Sequence, residues 1–394
     1  MKTTTHWMSS LWSKPAHVDG WLLALVGMLL AIGMMVIASS SIEFSSRMYG
    51  NPMAVLIRHV VYLSFGLVAA LVVSRLPINL WHDFDRLFLL VGTVALIAVL
   101  IPGIGSQING SWRWFRFGPI GVQPSEIMKW FMILFVAGYL ARQRGAVKSF
   151  WGLMKPVVIM VFVLFLLLLE PDFGAAVVLT AVVMGMMFLG GANFIQFLGL
   201  AILGVMLIGV LAYSATYRVA RLMAFLDPWS SENVYGSGYQ LTQALIAMGR
   251  GEWFGVGIGN SMLKLFYLPE AHTDFVFAIL GEEYGLVGVL TVLGLFTALI
   301  SRVFYIGMQA ERRQLLFSAF VCYGTAIQLS VQTIINMGVN VGLLPTKGLT
   351  LPLLSYGGSS LVVTLCTLGL VFAINNQVQS TPIPTGTDKA GADS

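Results

Sequence analysis

Ionisable residues crowd one edge of an apolar stretch, LPEAHTDFVFAILGEEYG, which spans residues 268–285. Glu270, His272 and Asp274 alternate there, immediately before FVFAIL. Ionisable groups next to hydrocarbon are costly and are functional candidates by default. A carboxylate that faces a low-dielectric region has a raised proton affinity, which suits a general base. Capping is the competing interpretation, because Thr273 or Asp274 could satisfy the first N–H groups of the following helix. The residues alone favour capping.

Glu282 and Glu283 lie about two turns further along the same apolar stretch. Two interpretations stay open for them. They line a water-filled cavity, or they pair with a basic group from another helix. The sequence assigns them no chemical role.

A second polar cluster follows the aromatic-rich segment NGSWRWFRFGPIGVQPSE, residues 109–126. Glu126 and Lys129 are three residues apart and share one face of a helix. They form either a structural ion pair or a site in which Lys129 meets an anionic substrate group. Arg113 and Arg116 could bind phosphate, because arginine presents a rigid fork of donors. The aromatic residues around them are typical of a membrane interface.

Asp172 follows Glu170-Pro171 and precedes another apolar run. Capping of a helix is the favoured interpretation for this carboxylate. Cys322 and Cys366 lie inside apolar runs, and they are interpreted as small buried hydrophobic residues. No zinc, P-loop, HExxH or G-x-S-x-G pattern occurs in the sequence.

Composition indicates an integral membrane protein. The chain has 394 residues, of which 57% are hydrophobic and only 10% are charged, and its mean hydropathy is +0.85. Soluble domains carry about 25% charged residues. The first apolar run, near Trp21, lacks a small-residue cleavage site and is interpreted as a first transmembrane helix. The predicted class is therefore all-α and polytopic.

Windows of about 20 apolar residues predict ten membrane spans. Their approximate bounds are 20–40, 55–75, 87–104, 124–141, 155–170, 173–191, 194–213, 275–300, 315–337 and 351–374. Between the seventh and eighth spans, residues 214–274 form a predicted outer loop, within which QLTQALIAMGR has amphipathic helical spacing.

The positions of Lys and Arg predict that both termini are cytoplasmic. With that orientation, most basic residues of the short loops fall inside, and the outer short loops hold only Arg47, Arg113, Arg116 and Lys347. The predicted organisation is a cytoplasmic segment 1–19, a membrane domain 20–376 that includes the large periplasmic loop, and a disordered cytoplasmic tail 377–394. The tail is predicted to be disordered because it is polar and rich in Pro and Gly.

Five motifs resemble the SEDS family of bacterial envelope proteins, in the family's order and over nearly the whole chain. They are NGSWRWFRFG with QPSE, EPDFG, FLDP with GYQ, LPEAHTDF, and LPTKGLTLPLLSYGGSS. The last motif is similar to the division branch of the family. The resemblance implies a peptidoglycan glycosyltransferase of the bacterial inner membrane. Such an enzyme polymerises lipid II at the division septum and releases undecaprenyl pyrophosphate.

The resemblance also implies roles for individual residues. The family's catalytic aspartate falls on Asp274, its paired glutamate and lysine fall on Glu126 and Lys129, and its TKG lysine falls on Lys347. Many family members have glutamate before Tyr-Leu-Pro-Glu, where this chain has Phe266, so an auxiliary acid is not carried over. Asp172, Glu270 and His272 belong to matching motifs and are candidate supporting residues.

The expected mechanism uses Asp274 as base on the C4 hydroxyl of the acceptor sugar. Arg113, Arg116, Lys129 or a divalent cation such as Mg²⁺ or Mn²⁺ would neutralise the pyrophosphate. The implied partners are a class B penicillin-binding protein (an FtsI-like transpeptidase) and regulators resembling FtsQ, FtsL, FtsB and FtsN. Two other classes stay open, a lipid II flippase or other transporter and a non-enzymatic division scaffold. Polar groups crowded at the outer face favour chemistry over passage.

Overall fold

Helices account for most of the fold. The structure is a computed structural model that describes residues 18–383 apart from 109, 119, 144, 214 and 215. The helices are α1 (Gly20–Tyr49), α2 (Ala54–Arg75), α3 (Ile78–Asp83), α4 (Asp85–Val99), α5 (Pro124–Arg142), α6 (Phe150–Leu169), α7 (Phe173–Leu189), α8 (Phe194–Tyr213), α9 (Thr216–Leu226), α10 (Ser231–Val234), α11 (Tyr239–Gly251), α12 (Val276–Arg312), α13 (Leu316–Asn340) and α14 (Gly358–Ser380). A 3₁₀ turn, Ala146–Lys148, precedes α6.

Each of the ten predicted spans overlaps one helix of this set, although α4 ends at Val99, before the predicted boundary at 104, and α12 continues to Arg312, past the predicted boundary at 300. Within the described residues, α1, α2, α6, α12, α13 and α14 are long and apolar enough to cross a membrane. The predicted all-helical polytopic class is therefore confirmed, whereas the number of spans and the N-in orientation stay predictions. Segments 1–17 and 384–394, which include most of both predicted cytoplasmic ends, lie outside the described residues.

The boundary of the last predicted span was wrong. Residues 351–357 are not helical, and α14 begins at Gly358. Pro352 has no N–H to donate, and Leu353 takes a positive φ of 65°. Leu351, Leu353 and Leu354 are nonetheless buried. The segment is hydrophobic because it packs inside the bundle, which is why a hydropathy window mistook it for part of a span. At its other end α14 runs to Ser380, past the predicted boundary at 376.

A small sheet replaces the predicted loop between α4 and α5. Strands β1 (Ser106–Ile108), β2 (Ser111–Phe117) and β3 (Ile120–Val122) pair antiparallel in the order β1-β2-β3. The sheet docks on α2, where the backbone N–H of Gly121 donates to the hydroxyl of Tyr62 at 3.0 Å. The sheet therefore holds the aromatic segment as an ordered element.

The predicted outer loop 214–274 is largely structured, with α9, α10 and α11 inside it. Helix α11 confirms the amphipathic prediction, because Leu241, Ala244 and Ala247 are buried and the helix packs on α12. Of the two placements that the pattern allowed, it lies against the bundle.

Helix α12 is broken at Gly285, whose φ of 66° and ψ of −164° are not helical. The backbone of residues 252–257 fills the gap. Four hydrogen bonds do so: Val256 N to Glu282 O (2.9 Å), Gly257 N to Glu283 O (3.2 Å), Leu286 N to Glu252 O (2.9 Å) and Val287 N to Trp253 O (3.1 Å). Backbone groups at membrane depth need partners within the protein, and this loop supplies them.

Close backbone contact explains two glycines at the break. A Cβ at Gly255 would lie 2.2 Å from the carbonyl oxygen of Glu283, and a Cβ at Gly285 would lie 2.4 Å from the nitrogen of Gly255. Both residues also take positive φ values, 81° and 66°. Glycine is the residue that tolerates this conformation and this contact.

Two polar contacts join α1, or its N-cap residue, to α12 at different heights along the helix axes. Arg302 pairs with Asp19 at 2.7 Å, and the Ser39 hydroxyl donates to Glu283 at 2.5 Å. The contacts are 20 residues apart along α1 (19 to 39) and 19 apart along α12 (283 to 302). At 1.5 Å per residue the separation is about 30 Å, the thickness of a bilayer's hydrocarbon core. This spacing would place Glu283 at one hydrocarbon boundary if Asp19 stands at the other.

Candidate active site

Asp274 lies at the end of the segment that leads into α12, where two asparagines of α13 hold its backbone. The side-chain amides of Asn336 and Asn340 donate to the carbonyl oxygen of Asp274 at 2.9 and 3.1 Å. The side-chain oxygen Oδ1 of Asn340 accepts from the backbone N–H of Ala278 at 3.0 Å. The N-cap residue of α12 is Phe275, whose side chain has no polar atom with which to cap the helix. Capping by Asp274 or Thr273 was therefore wrong, since α13 supplies the cap.

The segment from Thr346 to Leu349 borders the carboxylate of Asp274. A Cβ at Gly348 would lie 3.0 Å from Oδ2 of Asp274, so the carboxylate rests against the glycine backbone. The amide of Asn336 also donates to the carbonyl oxygen of Leu349 at 2.6 Å. One side chain thus links the Asp274 segment to the segment that carries Lys347. The ammonium of Lys347 lies 3.9 Å from the ring centroid of Phe173, the first residue of α7.

The carboxyl group of Asp274 holds its proton more tightly than an ordinary aspartate. The pKa of Asp274 is raised from 3.8 to about 7, mainly by burial and also by the negative charge of Glu270, against an opposing effect of Arg221 on α9. A carboxyl group with a pKa near neutrality can both accept and release a proton at physiological pH. This property is the one expected of a general base.

Glu270 shapes the turn before Asp274. Its φ is 57°, and its carbonyl oxygen accepts from the N–H groups of Thr273 and Phe275 at 3.1 and 3.2 Å. The carboxylate accepts from the hydroxyl of Thr273 at 2.7 Å. Glu270 therefore influences Asp274 through its charge and through the turn.

His272 is buried and holds three segments together. Its ring centroid lies 4.6 Å from that of Phe44 on α1 and 5.8 Å from that of Tyr356. Its carbonyl oxygen accepts from the N–H of Tyr356 at 3.0 Å. Burial lowers the pKa of His272, against the opposing effect of Glu270. An uncharged imidazole packed between aromatic rings has a positioning role in this fold.

Glu126 and Lys129 form the ion pair that their spacing predicts. The ammonium and carboxylate are 2.9 Å apart, and both residues are buried in α5. The structural alternative is favoured for Lys129, because its side chain has no exposed surface.

Asp172 is the N-cap of α7, as predicted. One carboxylate oxygen accepts from the N–H of Ala175 at 3.1 Å. The other accepts from the side chains of Gln123 and Ser125 at 3.0 and 2.8 Å. These bonds tie the start of α7 to the start of α5, so the role of Asp172 is structural.

Arg113 fastens the sheet to the turn between α6 and α7. Its Nε donates to the carbonyl oxygen of Glu170 at 2.7 Å, and its Nη2 donates to that of Pro171. The sequence predicted no such role. Arg116, on the same strand, is exposed, which leaves it the better placed of the two arginines to meet an anion.

The two glutamates of α12 each form an ion pair. Arg250 binds Glu282 at 2.7 Å, and the Ser261 hydroxyl donates to the same carboxylate at 2.5 Å. Lys264 binds Glu283 at 2.9 Å. Of the two interpretations that the sequence left open, pairing with a basic group is the one observed. The basic partners come from the outer loop and not from another spanning helix.

Glu170 is fully buried, and within the described part of the chain neither of its carboxyl oxygens has a hydrogen-bond partner. The pKa of Glu170 is raised to about 9, mainly by burial and also by the charge of Asp172, whereas Arg113 opposes the shift. The carboxyl is therefore protonated in the folded protein at neutral pH. When the pKa of an acid is higher in the folded than in the unfolded protein, the free energy of unfolding falls as pH rises between the two pKa values.

The variant Glu170→Gln is expected to stabilise the protein by about 1–3 kcal/mol at pH 7–8, because glutamine needs no proton to be neutral. The melting temperature of the purified protein should rise, and its decline between pH 5 and pH 9 should weaken. Asp172→Asn is the matched control, because it weakens a cap and should lower the melting temperature. A lower melting temperature for Glu170→Gln at pH 7.5 would contradict the prediction.

Sequence reasoning missed the two asparagines behind Asp274. The available signal was NMGVN at 336–340, since amides four residues apart share one face of an apolar helix. Among the described residues, no group of three or more His, Cys, Asp or Glu side chains is placed to hold a metal ion.

Comparison with known proteins covers nearly the whole chain. A family model described as cell cycle protein, for FtsW, RodA and SpoVE, matches residues 20–380. A probable peptidoglycan glycosyltransferase FtsW of Legionella pneumophila is 50% identical over 367 residues, which are 93% of this chain and 93% of the relative. A relative of the same description from Coxiella burnetii is 47% identical over 363 residues, which are 92% of this chain and 97% of the relative.

Two solved structures have similar folds. A chain of a peptidoglycan synthase complex, studied for the coordination of polymerization and crosslinking, aligns with a TM-score of 0.75 and 30% identity over 92% of this chain and 99% of that chain. The rod shape determining protein RodA of Thermus thermophilus aligns with a TM-score of 0.68 and 29% identity over 92% and 97%.

Proposed function

This chain belongs to the cell cycle protein family of FtsW, RodA and SpoVE, and from that premise we propose that it is a peptidoglycan glycosyltransferase that polymerises lipid II. The observation that carries the proposal is the Asp274 carboxyl group, whose pKa lies near 7. It stands beside the Gly348 backbone, next to a lysine of the same segment. A base within electrostatic range of a cation, here Arg221, suits transfer of a sugar from a pyrophosphate.

In the proposed reaction, Asp274 accepts the proton of the C4 hydroxyl of the acceptor N-acetylglucosamine. The hydroxyl oxygen attacks C1 of the donor N-acetylmuramic acid from the face opposite the pyrophosphate. The new C1–O bond forms in the β configuration as the bond to the pyrophosphate breaks. Undecaprenyl pyrophosphate leaves with the bonding electrons, and Asp274 later releases its proton to solvent.

Positive charge near the pyrophosphate would stabilise the leaving group. Arg116 and Arg221 are exposed, and Arg221 is close enough to Asp274 to lower its pKa. Lys347 lies one residue from the glycine that borders the carboxylate. Arg116 and Arg221 replace Arg113 and Lys129 as the favoured candidates, because the latter two bind partners inside the fold, and Lys347 stays a candidate through its motif.

Transport of lipid II is the rival function. It would require ionisable groups along a path through the bilayer. In four ion pairs of the described residues, the carboxylate lies at or near the end of a helix or next to the break in α12: Asp19 with Arg302, Asp85 with Arg142, Glu126 with Lys129, and Glu283 with Lys264. That distribution favours chemistry at a surface over passage.

The direct test uses purified protein in liposomes with lipid II. Glycan strands should form with the wild-type chain and should be absent with Asp274→Ala prepared in parallel, which controls for contaminating polymerases. Movement of lipid II between leaflets without polymer would support a transporter. Neither activity, with or without a class B penicillin-binding protein, would support a scaffold. A parallel reaction with a chelator tests the need for Mg²⁺ or Mn²⁺.

The septal role and the partners are part of the same proposal. Depletion of the protein should yield filaments if it acts in division, and rounded cells if it acts in elongation. A class B penicillin-binding protein that crosslinks the new strands is the expected partner, together with regulators of the FtsQ, FtsL, FtsB and FtsN kind.

A further inference from the structure

The segment Gly251–Asn260, called here the wedge loop, carries large apolar side chains that the fold leaves uncovered. Trp253 is 67% exposed, Phe254 is 82% exposed and Ile258 is 65% exposed. Water-exposed patches of this kind are unusual unless they bind something. The three side chains therefore require a partner outside the described chain.

The wedge loop is held rigidly, so its side chains point outward for a structural reason. Its backbone forms the four hydrogen bonds that fill the break in α12. Gly255 and Gly285 bring the two backbones into direct contact. A mobile loop could fold its aromatic residues inward, but this loop cannot do so without opening the break.

The height of the wedge loop matches the edge of the hydrocarbon core. Its residues Val256 and Gly257 bind the carbonyl oxygens of Glu282 and Glu283. Glu283 also accepts from Ser39, which lies 20 residues from Asp19 along α1, or about 30 Å at 1.5 Å per residue. Aromatic residues are enriched at this level of a membrane protein.

The surface around the wedge loop is apolar and exposed. Val287, which donates to the carbonyl of Trp253, is 48% exposed, and Leu290 one turn further is 54% exposed. On the other side, a groove of about 530 Å³ separates the loop from α1, and Met35 and Ile42 of α1 line it. Apolar surface is thus continuous from the spanning helices to the wedge loop.

We propose that the wedge loop inserts into the outer leaflet of the membrane, with Trp253, Phe254 and Ile258 bound to lipid hydrocarbon. The partner is the bilayer itself, and the site faces the same leaflet as Asp274. Lys264 and Leu265 connect the loop to the segment that leads to Asp274. Insertion would set the height of Asp274 above the membrane, where the pyrophosphate of a lipid-linked substrate lies. Only this last step rests on the proposed function.

A spin label on the full-length protein in liposomes tests the insertion. The label is attached at Phe254→Cys, with Leu290→Cys as the lipid-facing control and Tyr235→Cys, at an 87% exposed position, as the aqueous control. The parent protein measures the background from Cys322 and Cys366, which are buried. Collision with a water-soluble nickel chelate should be as low at position 254 as at 290, and collision with oxygen should be as high. Nickel accessibility equal to that at position 235 would overturn the proposal.

The role in catalysis needs a separate measurement. The double variant Trp253→Ser/Phe254→Ser is expected to polymerise lipid II about tenfold more slowly in liposomes, while Trp253→Phe/Phe254→Trp restores the wild-type rate. Equal melting temperatures would show that the loss is not unfolding. An unchanged rate in the serine variant would refute the height-setting role. A wild-type protein without polymerase activity would refute the proposed function instead, and the spin-label result would still decide insertion.

Discussion

Replacing Asp274 with asparagine is expected to lower the rate of lipid II polymerisation by about 10²- to 10⁴-fold, the usual contribution of a general base. Asparagine keeps the size of the side chain and its place beside Gly348, but it cannot accept the proton of the attacking hydroxyl. The measurement is the initial rate of glycan formation by the purified variant in liposomes at pH 8. Loss of rate without loss of substrate binding would identify a role in the chemical step.

Stability separates this effect from unfolding. The carboxylate of Asp274 caps no helix, and its raised pKa means that the fold disfavours the charged form. Asp274→Asn should therefore keep or raise the melting temperature at pH 8, a trade-off common at active sites. Asp227→Asn, an exposed aspartate elsewhere in the outer loop, is the matched control and should retain the wild-type rate. A polymerisation rate for Asp274→Asn within threefold of wild type would exclude the base.

The pH dependence follows from the same carboxyl group. Only the ionised form of Asp274 can act as a base, so the rate should fall about tenfold per pH unit below pH 7 and level off above it. Glu270 disfavours that ionised form through its charge. Glu270→Gln should therefore shift the midpoint of the profile to lower pH. A shift to higher pH, or a profile that is flat from pH 5 to pH 8, would argue that another group limits the rate.

The long helices were predictable because hydrocarbon imposes a simple rule on sequence. A run of about 20 apolar residues must be helical in lipid, and each predicted window overlaps a helix. The rule fails where apolar residues are buried by protein instead of lipid. Residues 351–357 are an example, since their leucines pack inside the bundle without forming a helix.

The candidate site was less predictable, because its parts come from distant positions. The motif containing Asp274 could be found by its cluster of ionisable residues. Its supports could not, since Asn336 and Asn340 lie 62 and 66 residues away in sequence. Glu283 likewise bonds to Ser39, 244 residues away. A partner at that separation is defined by packing of whole helices, which hydropathy and local spacing do not encode.

The break in α12 is a second feature that local sequence patterns did not predict. Glu282 and Glu283 looked like charges inside a spanning helix. The backbone bends at Gly285, where the wedge loop binds it, and Arg250 and Lys264 on either side of that loop pair with the two glutamates. A single glycine in a helical pattern is a weak signal, because glycine is common in membrane helices. The outer-loop residues folded against this break explain why the charges of Glu282 and Glu283 are tolerated in α12.

Replacing Asn336 with alanine is expected to lower polymerisation about 10²-fold. The amide of Asn336 donates to the carbonyl oxygens of Asp274 and Leu349 at 2.9 and 2.6 Å. Without it, the segments that carry Asp274 and Lys347 lose their shared support. A displacement of about 1 Å at a reacting group can cost this much. Initial rates over a range of lipid II concentrations should show a fall in kcat with little change in KM.

Two variants separate positioning from packing in this experiment. Asn336→Asp keeps the shape but loses the donors at high pH, so it should resemble alanine at pH 8. Gln332→Ala removes another buried amide one turn away on α13, one that bonds to Gln328 and not to the Asp274 segment. It should retain the rate even if it lowers the melting temperature. Equal losses of rate in Asn336→Ala and Gln332→Ala, in proportion to their losses of stability, would mean that α13 merely packs the bundle. A loss confined to Asn336, with the pH midpoint displaced from that of the wild type, would mean that this helix holds the base in register with the lysine segment.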